Sequence, residues 1–177
     1  MTRVYPVLLI FWMLNLLNKE IEKILTLDCA AKTLFLGMGN TFRSDDGIGP
    51  FIIAGLKKSC ESVVIFNMEN KPELYLEDVI EVNPDKTVIF DAADFNGVPG
   101  EIKYIEEKYI NNITLSTHTF PPGVIAELIK HDTGSELFFI GIQAVCFEPG
   151  DKLSPEVKNA GVEIINFINK EIEKCMN

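Results

Sequence analysis

Short apolar runs alternate with segments of helical periodicity along most of the chain, and this alternation leaves few folds open. Thr33 to Gly39 (TLFLGMG), Ser62 to Asn67 (SVVIFN), Thr87 to Phe90 (TVIF) and Leu137 to Ile142 (LFFIGI) are each short, apolar and bounded by polar or glycine-containing segments. Such runs read as strands buried on both faces. Between them lie Ile48 to Lys58, opened by Gly47, Gly49 and Pro50, and Glu73 to Glu81, entered through Pro72; both carry helical spacing. Pro121 to Lys130 reads as a further helix, its prolines tolerated only in the first turn. Ser154-Pro155-Glu156 places a cap, a proline at the first helical position and an acid near the positive helix end, so a last helix is expected to about Lys174. Strand and helix in alternation imply an α/β fold of three layers, a twisted, mainly parallel sheet with helices on both faces. Val98-Pro99-Gly100-Glu101 is a turn, and Ile102, Tyr104 and Ile105 beside it suggest an antiparallel edge strand, which makes the sheet mixed.

A chain of 177 residues suits one domain, here expected over 33–177 behind an N-terminal extension, 1–32. Val7 to Leu17 is apolar behind Arg3, but it runs into Asn18-Lys19-Glu20-Ile21-Glu22-Lys23 without a small-residue cleavage site and is short for a bilayer span. Leu14, Leu17, Ile21, Ile24 and Leu25 recur at helical spacing opposite polar residues, so an amphipathic helix packed on the domain or on a partner is expected. Met13 is an alternative start to Met1. A soluble, cytoplasmic protein without a membrane partner is the expectation. Net charge is -10, with 16 basic residues scattered among 26 acidic ones, which argues against nucleic acid. Cys29, Cys60, Cys146 and Cys175 form no CxxC pair, which excludes a paired-cysteine zinc site and leads to the expectation of reduced, mostly buried thiols.

In an open α/β sheet, functional groups collect beyond the carboxyl ends of the strands. The first strand leads into Asn40-Thr41-Phe42-Arg43-Ser44-Asp45-Asp46-Gly47, the third into Asp91-Ala92-Ala93-Asp94, and Ser116-Thr117-His118-Thr119 holds one of two histidines. Gly37-x-Gly39 fails as a dinucleotide fingerprint, because Phe42 fills the third glycine position and two aspartates stand where a phosphate would meet the helix. For Asp45 and Asp46 the plain reading is helix capping, but two adjacent caps are redundant, leaving one carboxylate for the cleft. Asp91 directly follows an apolar strand, where a carboxylate is costly without a partner or a task, although an Asx turn is the simpler alternative. His118 lies between elements, and His131 at a helix end has a sufficient surface role. A Cys-His nucleophilic pair finds no cysteine at a helix start or strand end. Asp46, Asp91 and His118 together suit a borderline divalent ion with open positions, whereas the two carboxylates alone suit acid/base chemistry; spacing decides neither.

Gly37-x-Gly39-Asn40 and Asp45-Asp46-Gly47-x-Gly49-Pro50, then Asp91-Ala92-x-Asp94 with Pro99-Gly100-Glu101, then Ser116-Thr117-His118, then Gly141-Ile142-Gln143 resemble, in order and spacing, the motifs of the hydrogenase maturation endopeptidases. The resemblance covers roughly Thr33 to Ile168. It implies a mixed five-stranded sheet and an endopeptidase, aspartic-type or metal-assisted, that trims the C-terminus of the nickel-hydrogenase large-subunit precursor. It implies a metal-binding and catalytic trio at Asp46, Asp91 and His118, reading a nickel ion supplied by the substrate; in isolation other divalent ions could occupy it. A monomer is expected. Two other readings are a nickel-binding maturation chaperone or scaffold that does not cut, and a metal-dependent hydrolase of a small molecule. The chain departs from the family pattern at Met68-Glu69-Asn70-Lys71-Pro72-Glu73, where relatives carry a glycine-rich turn, and Ala144-Val145-Cys146-Phe147-Glu148 is individual.

Overall fold

The computed structural model describes residues 17–57, 60–113 and 121–176. Its centre is a five-stranded sheet of β1 (Thr33–Met38), β2 (Val63–Glu69), β3 (Lys86–Ala93), β4 (Ile102–Ile105) and β5 (Glu136–Gln143), in the order β2-β1-β3-β5-β4. β1 pairs in parallel with β2 and β3, β3 in parallel with β5, and β4 joins the edge antiparallel to β5. The mixed, mainly parallel α/β sheet expected from the sequence is therefore the one observed, edge strand included.

Successive residues of a strand face opposite sides, and β1 shows what each side meets. Phe35 stacks on Phe90, ring centroids 6.0 Å apart, in a core with Ile52, Ile164 and Ile168. Leu34 and Leu36 face the other way, towards Val79, Ile125 and Ile129. The first face is covered by α1 (Lys19–Leu25), α2 (Ile48–Gly55) and α6 (Pro155–Cys175). The second is covered by α3 (Leu76–Val82), α4 (Glu107–Ile113) and α5 (Pro122–Thr133). Each fully buried Leu, Ile or Phe on these faces is worth about 1.5–3 kcal/mol relative to exposure.

Several boundaries shift for local reasons. α2 ends at Gly55 rather than Lys58, with Leu56 already extended. The segment after β2 begins as a 3-10 turn, Pro72–Tyr75, before α3, which stops at Asn83 in a left-handed conformation (φ 47°). α5 runs to Thr133 and is closed by Gly134 at φ 68°. α4 was not expected; only Ile110 of its described side chains is buried, which leaves no periodicity to read.

Within the described residues the extension is a packed part of the domain. Asn18 caps α1, its Oδ1 accepting the N–H groups of Glu20 and Ile21 at 3.0 Å each. Leu17, Ile21, Ile24 and Leu25 are buried in the core of the first face. The cysteine expectation is corrected here. Cys29 and Cys175 form a disulfide, their Cα atoms 5.2 Å apart across 146 positions of sequence, whereas Cys60 and Cys146 are free and half-buried. The pairing joins the extension to the end of α6, a proximity that exists only in the folded chain. No helix of the described residues is long and apolar enough to cross a membrane.

Candidate active site

The strand order β2-β1-β3 places a crevice between the carboxyl ends of β1 and β3, because the chain leaves β1 for one side of the sheet and β2 for the other. Such a switch point is where open α/β sheets bind ligands. Asp91 lies in β3 beside Gly141 of β5, fully buried, with Oδ1 accepting the N–H of Ala92 at 2.8 Å. Asp46 lies in a 3-10 turn, Ser44–Gly47, which packs against β3, and is 1% exposed.

Glycine makes that approach possible. A Cβ on Gly49 would come within 2.1 Å of the Met38 carbonyl oxygen and 2.5 Å of that of Phe90, so α2 begins in contact with both strands, one residue short of Asp91. Gly39 takes φ 130°, and a Cβ there would fall 1.8 Å from the Asp46 carbonyl oxygen, which accepts the N–H of Asn40 at 3.1 Å. The spacing Gly37-x-Gly39…Asp46-Gly47-x-Gly49 thus serves a carboxylate turn folded back on its own strand.

Neither aspartate caps its own helix. The cap of the 3-10 turn is Arg43 and that of α2 is Gly47, both without a side-chain cap bond. Asp45, fully buried, reaches the loop after β5. Its Oδ2 accepts the N–H groups of Val145 (2.9 Å) and Cys146 (3.0 Å) and the Ser154 hydroxyl (2.9 Å), and its Oδ1 accepts the Ser154 N–H at 2.6 Å. Ser154 is the N-cap residue of α6 but makes no cap bond of its own, so the carboxylate of Asp45 supplies the negative group at that helix start. The sequence suggested a local cap for one of Asp45 and Asp46; the partners of Asp45 lie about a hundred residues away, beyond the reach of local pattern.

Other groups brace the same loops. Arg43 donates Nε–H and Nη2–H to the Phe147 carbonyl at 3.1 and 3.0 Å, and Gly150 N–H meets the Phe42 carbonyl at 2.9 Å. Ala144 to Glu148, individual in sequence, is thereby held against the Asp46 turn. Gln143 Oε1 accepts the N–H groups of Phe95 and Gly97, both at 3.0 Å, while its Nε2 donates to Asp94 Oδ1 at 3.2 Å. A polar residue ending an apolar strand was the available signal for Gln143, the same one that singled out Asp91. At the end of β2, where the family resemblance implied a glycine-rich turn, this chain bends at Glu69 in the left-handed region, φ 50°, its carbonyl accepting Gly39 N–H at 3.0 Å. A non-glycine residue holds that conformation at a cost of about 1–2 kcal/mol.

Of the expected trio, Asp46 and Asp91 are both buried, on a 3-10 turn and a strand that pack against each other; His118 lies outside the described residues. Among the described residues no three His, Cys, Asp or Glu side chains gather as a metal-binding group. His131 is exposed on α5, its Nδ1 paired with Asp132 at 2.7 Å.

Residues 53–171 match the hydrogenase maturation protease (HycI) family. The chain belongs to this family. A hydrogenase maturation protease of Methanocaldococcus jannaschii is 28% identical over 154 residues, covering 81% of this chain and 89% of that one. The hydrogenase 3 maturation protease of Escherichia coli K12 is 31% identical over 116 residues, 62% of this chain and 71% of that one. In three dimensions, the NiFe hydrogenase maturation protease HycI of Thermococcus kodakarensis superposes with a TM-score of 0.74 at 26% identity, covering 88% of this chain and 99% of that one. The protein is accordingly a maturation protease of the hydrogenase system, with the mixed α/β sheet of those structures.

Proposed function

We propose that the protein is a cytoplasmic endopeptidase that removes the C-terminal extension of a nickel-loaded hydrogenase large-subunit precursor, with the substrate-borne nickel as the recognition element. The observation that carries this reading is the burial of two carboxylates, Asp46 and Asp91, on two elements that pack against each other, the 3-10 turn after β1 and strand β3. Two buried carboxylates are a costly arrangement unless a cation or a shared proton belongs there. The donor set fits a divalent ion. Two oxygen ligands, with His118 proposed as a nitrogen donor beside them, would leave positions for a substrate that brings its own ligands. The bound ion would supply charge stabilisation at the scissile carbonyl. The chain's own residues orient the hydrolytic water. A carboxylate of the pair accepts its proton as the water oxygen bonds to the carbonyl carbon, and that proton passes to the departing amine.

The test is incubation of the protein with nickel-loaded and nickel-free precursor, followed by mass spectrometry of the C-terminus. Cleavage of the loaded form alone is expected. Equal cleavage of both forms removes nickel from recognition, and tight binding without cleavage identifies a scaffold. His118→Gln is expected to lower the ratio of affinities for loaded over empty precursor by about 10-fold or more, measured by titration. An unchanged ratio leaves the two aspartates as the whole site.

A further inference from the structure

Three of the motifs singled out in the sequence carry residues that the proposed chemistry does not use. They are Asp94 of Asp91-Ala92-x-Asp94, the turn Pro99-Gly100-Glu101, and Gln143 of Gly141-Ile142-Gln143. In the folded chain they meet at one side chain. Gln143 is 6% exposed, and its amide makes all four of the hydrogen bonds open to it. Oε1 accepts the N–H groups of Phe95 and Gly97 at 3.0 Å each, and Nε2 donates to Asp94 Oδ1 at 3.2 Å and to the Ala144 carbonyl at 3.0 Å. The main chain completes the junction, Gln143 N–H meeting the Glu101 carbonyl and the Gln143 carbonyl accepting Gly100 N–H, both at 2.9 Å. From this junction we infer that Gln143 is a positioning residue of the reaction, acting through Asp94 and the loop 94–97 to fix the end of β3 that carries Asp91. The inference rests on the endopeptidase reading above.

Asp91 needs such a tie because it lies close to where its strand ends. β3 and β5 run side by side as Asp91–Gly141, Ala92–Ile142 and Ala93–Gln143, and the last main-chain bond joins Ala144 N–H to the Ala93 carbonyl at 3.0 Å. Beyond Ala93 the chain turns away, and a strand end left there would fray. The Gln143 amide, which offers the same donor and acceptor types as a peptide group, takes the place of a further rung. The loop it grips is held in a bent shape, with Asn96 at φ 57° and Gly100 at φ 77°. A Cβ on Gly100 would fall 2.5 Å from the Glu156 carbonyl oxygen, so the turn is pressed against the start of α6. Asp94 completes the grip from outside. Its side chain is exposed, yet Oδ1 accepts both Gln143 Nε2 and the Asn96 N–H, each at 3.2 Å. A buried amide is a liability, about 1–3 kcal/mol for a group left unpaired, which an apolar residue ending β5 would avoid. What it provides is a fixed geometry next to Asp91, and a displacement of about 1 Å can cost on the order of 10²-fold in rate.

The experiment uses the full chain and nickel-loaded precursor, with steady-state cleavage and a thermal melt recorded for each variant. Gln143→Glu keeps an acceptor for Phe95 and Gly97 but turns an oxygen towards Asp94 Oδ1 and the Ala144 carbonyl. It is expected to lower kcat about 10- to 100-fold with KM within about 3-fold of wild type. Adding Asp94→Asn, whose amide can donate back across the pair, should recover about 5-fold or more of that kcat. The Asp94 variants test the pair from the exposed side and decide the matter if Gln143→Glu melts far below wild type. Asp94→Ala removes the acceptor and should lower kcat about 3- to 10-fold, whereas Asp94→Asn alone keeps an oxygen for Gln143 and should lose about 2-fold. Wild-type kcat in both Gln143→Glu and Asp94→Ala overturns the inference. A rise in KM at constant kcat overturns it too, because the pair would then be touching substrate. So does a loss in Asp94→Asn as large as in Asp94→Ala, because charge and not orientation would then matter. Wild-type protein that fails to cleave the loaded precursor overturns the endopeptidase reading, and this inference with it.

Discussion

The two ends of the sheet use polar groups for opposite purposes. At the amino end, polar groups close the structure. Lys86 at the start of β3 donates from Nζ to the carbonyls of Ile24 (3.1 Å) and Thr26 (2.7 Å), capping the last turn of α1. Lys32 N–H meets Asp85 Oδ2 at 2.7 Å, and its carbonyl accepts the N–H groups of Asp85 and Lys86. The Cys29–Cys175 bond ties the same segment to α6. At the carboxyl end, the buried polar groups are the carboxylates Asp45 and Asp46, on a turn that glycines allow to approach closely, and Asp91 and the amide of Gln143 near the ends of β3 and β5. Asp45 and Gln143 brace the loops at this end, beside the buried Asp46 and Asp91. A fold can concentrate costly carboxylates at one end when the other end is stapled and strapped.

Substitutions at the two ends should therefore separate activity from stability. The largest effect is expected for Asp91→Asn, which should lower precursor processing by roughly 10²–10⁴-fold while the melting temperature stays within a few degrees of wild type. A collapsed melt with processing retained would make Asp91 a structural residue and erase the contrast. Cys29→Ser, or reduction of the Cys29–Cys175 bond, should do the reverse. A native disulfide typically stabilises by about 2–4 kcal/mol, so calorimetry should show a loss of roughly 5–15 °C with the processing rate at moderate temperature unchanged.

Asp45→Asn sharpens the comparison, because Asp45 stabilises the end that carries the chemistry. Its Oδ2 faces three donors, so an amide loses acceptors for buried N–H groups, and a cost of ~2 kcal/mol in denaturant unfolding together with slowed processing is expected. Wild-type processing in this variant would show that the loop after β5 does not position Asp46. The smallest effect belongs to Lys86→Met, about 1 kcal/mol. Burial holds the Lys86 ammonium below its ordinary value of 10.5, with Glu136 foremost among the acids opposing the shift. The unfolded chain then binds more protons than the folded one between the lowered value and 10.5, so wild-type stability should rise with pH through that window. Lys86→Met should lack the rise; a rise retained in the variant would assign it to another group.

Much of the carboxyl end could be read in the sequence, and less of the amino end. β1, β3 and β5 announced themselves as apolar runs, and Asp91 stood out because its placement at the end of one is expensive. The glycines around Asp46 were readable as a pattern that demands close backbone approach. The expectation that one of Asp45 and Asp46 caps its own helix failed, and the partners of Asp45, Val145, Cys146 and Ser154, are brought near only by the completed fold. The disulfide was invisible for the same reason, as no local spacing links positions 146 apart. α4 escaped because Tyr109, the residue beside its buried Ile110, is exposed and Asn111-Asn112 carry little helical preference.

The Cys29–Cys175 bond also has a mechanical consequence. It turns the 146-position stretch from β1 to α6 into a closed ring, and a pull applied between Lys19 and Met176 bypasses that ring. In a single-molecule stretching experiment the oxidised protein should release only the short tails outside the bond. Adding a reductant should free a further ~500 Å of contour length, at up to about 3.6 Å per residue. An unfolding motor that threads a single extended strand would meet the oxidised protein as a loop, two strands wide.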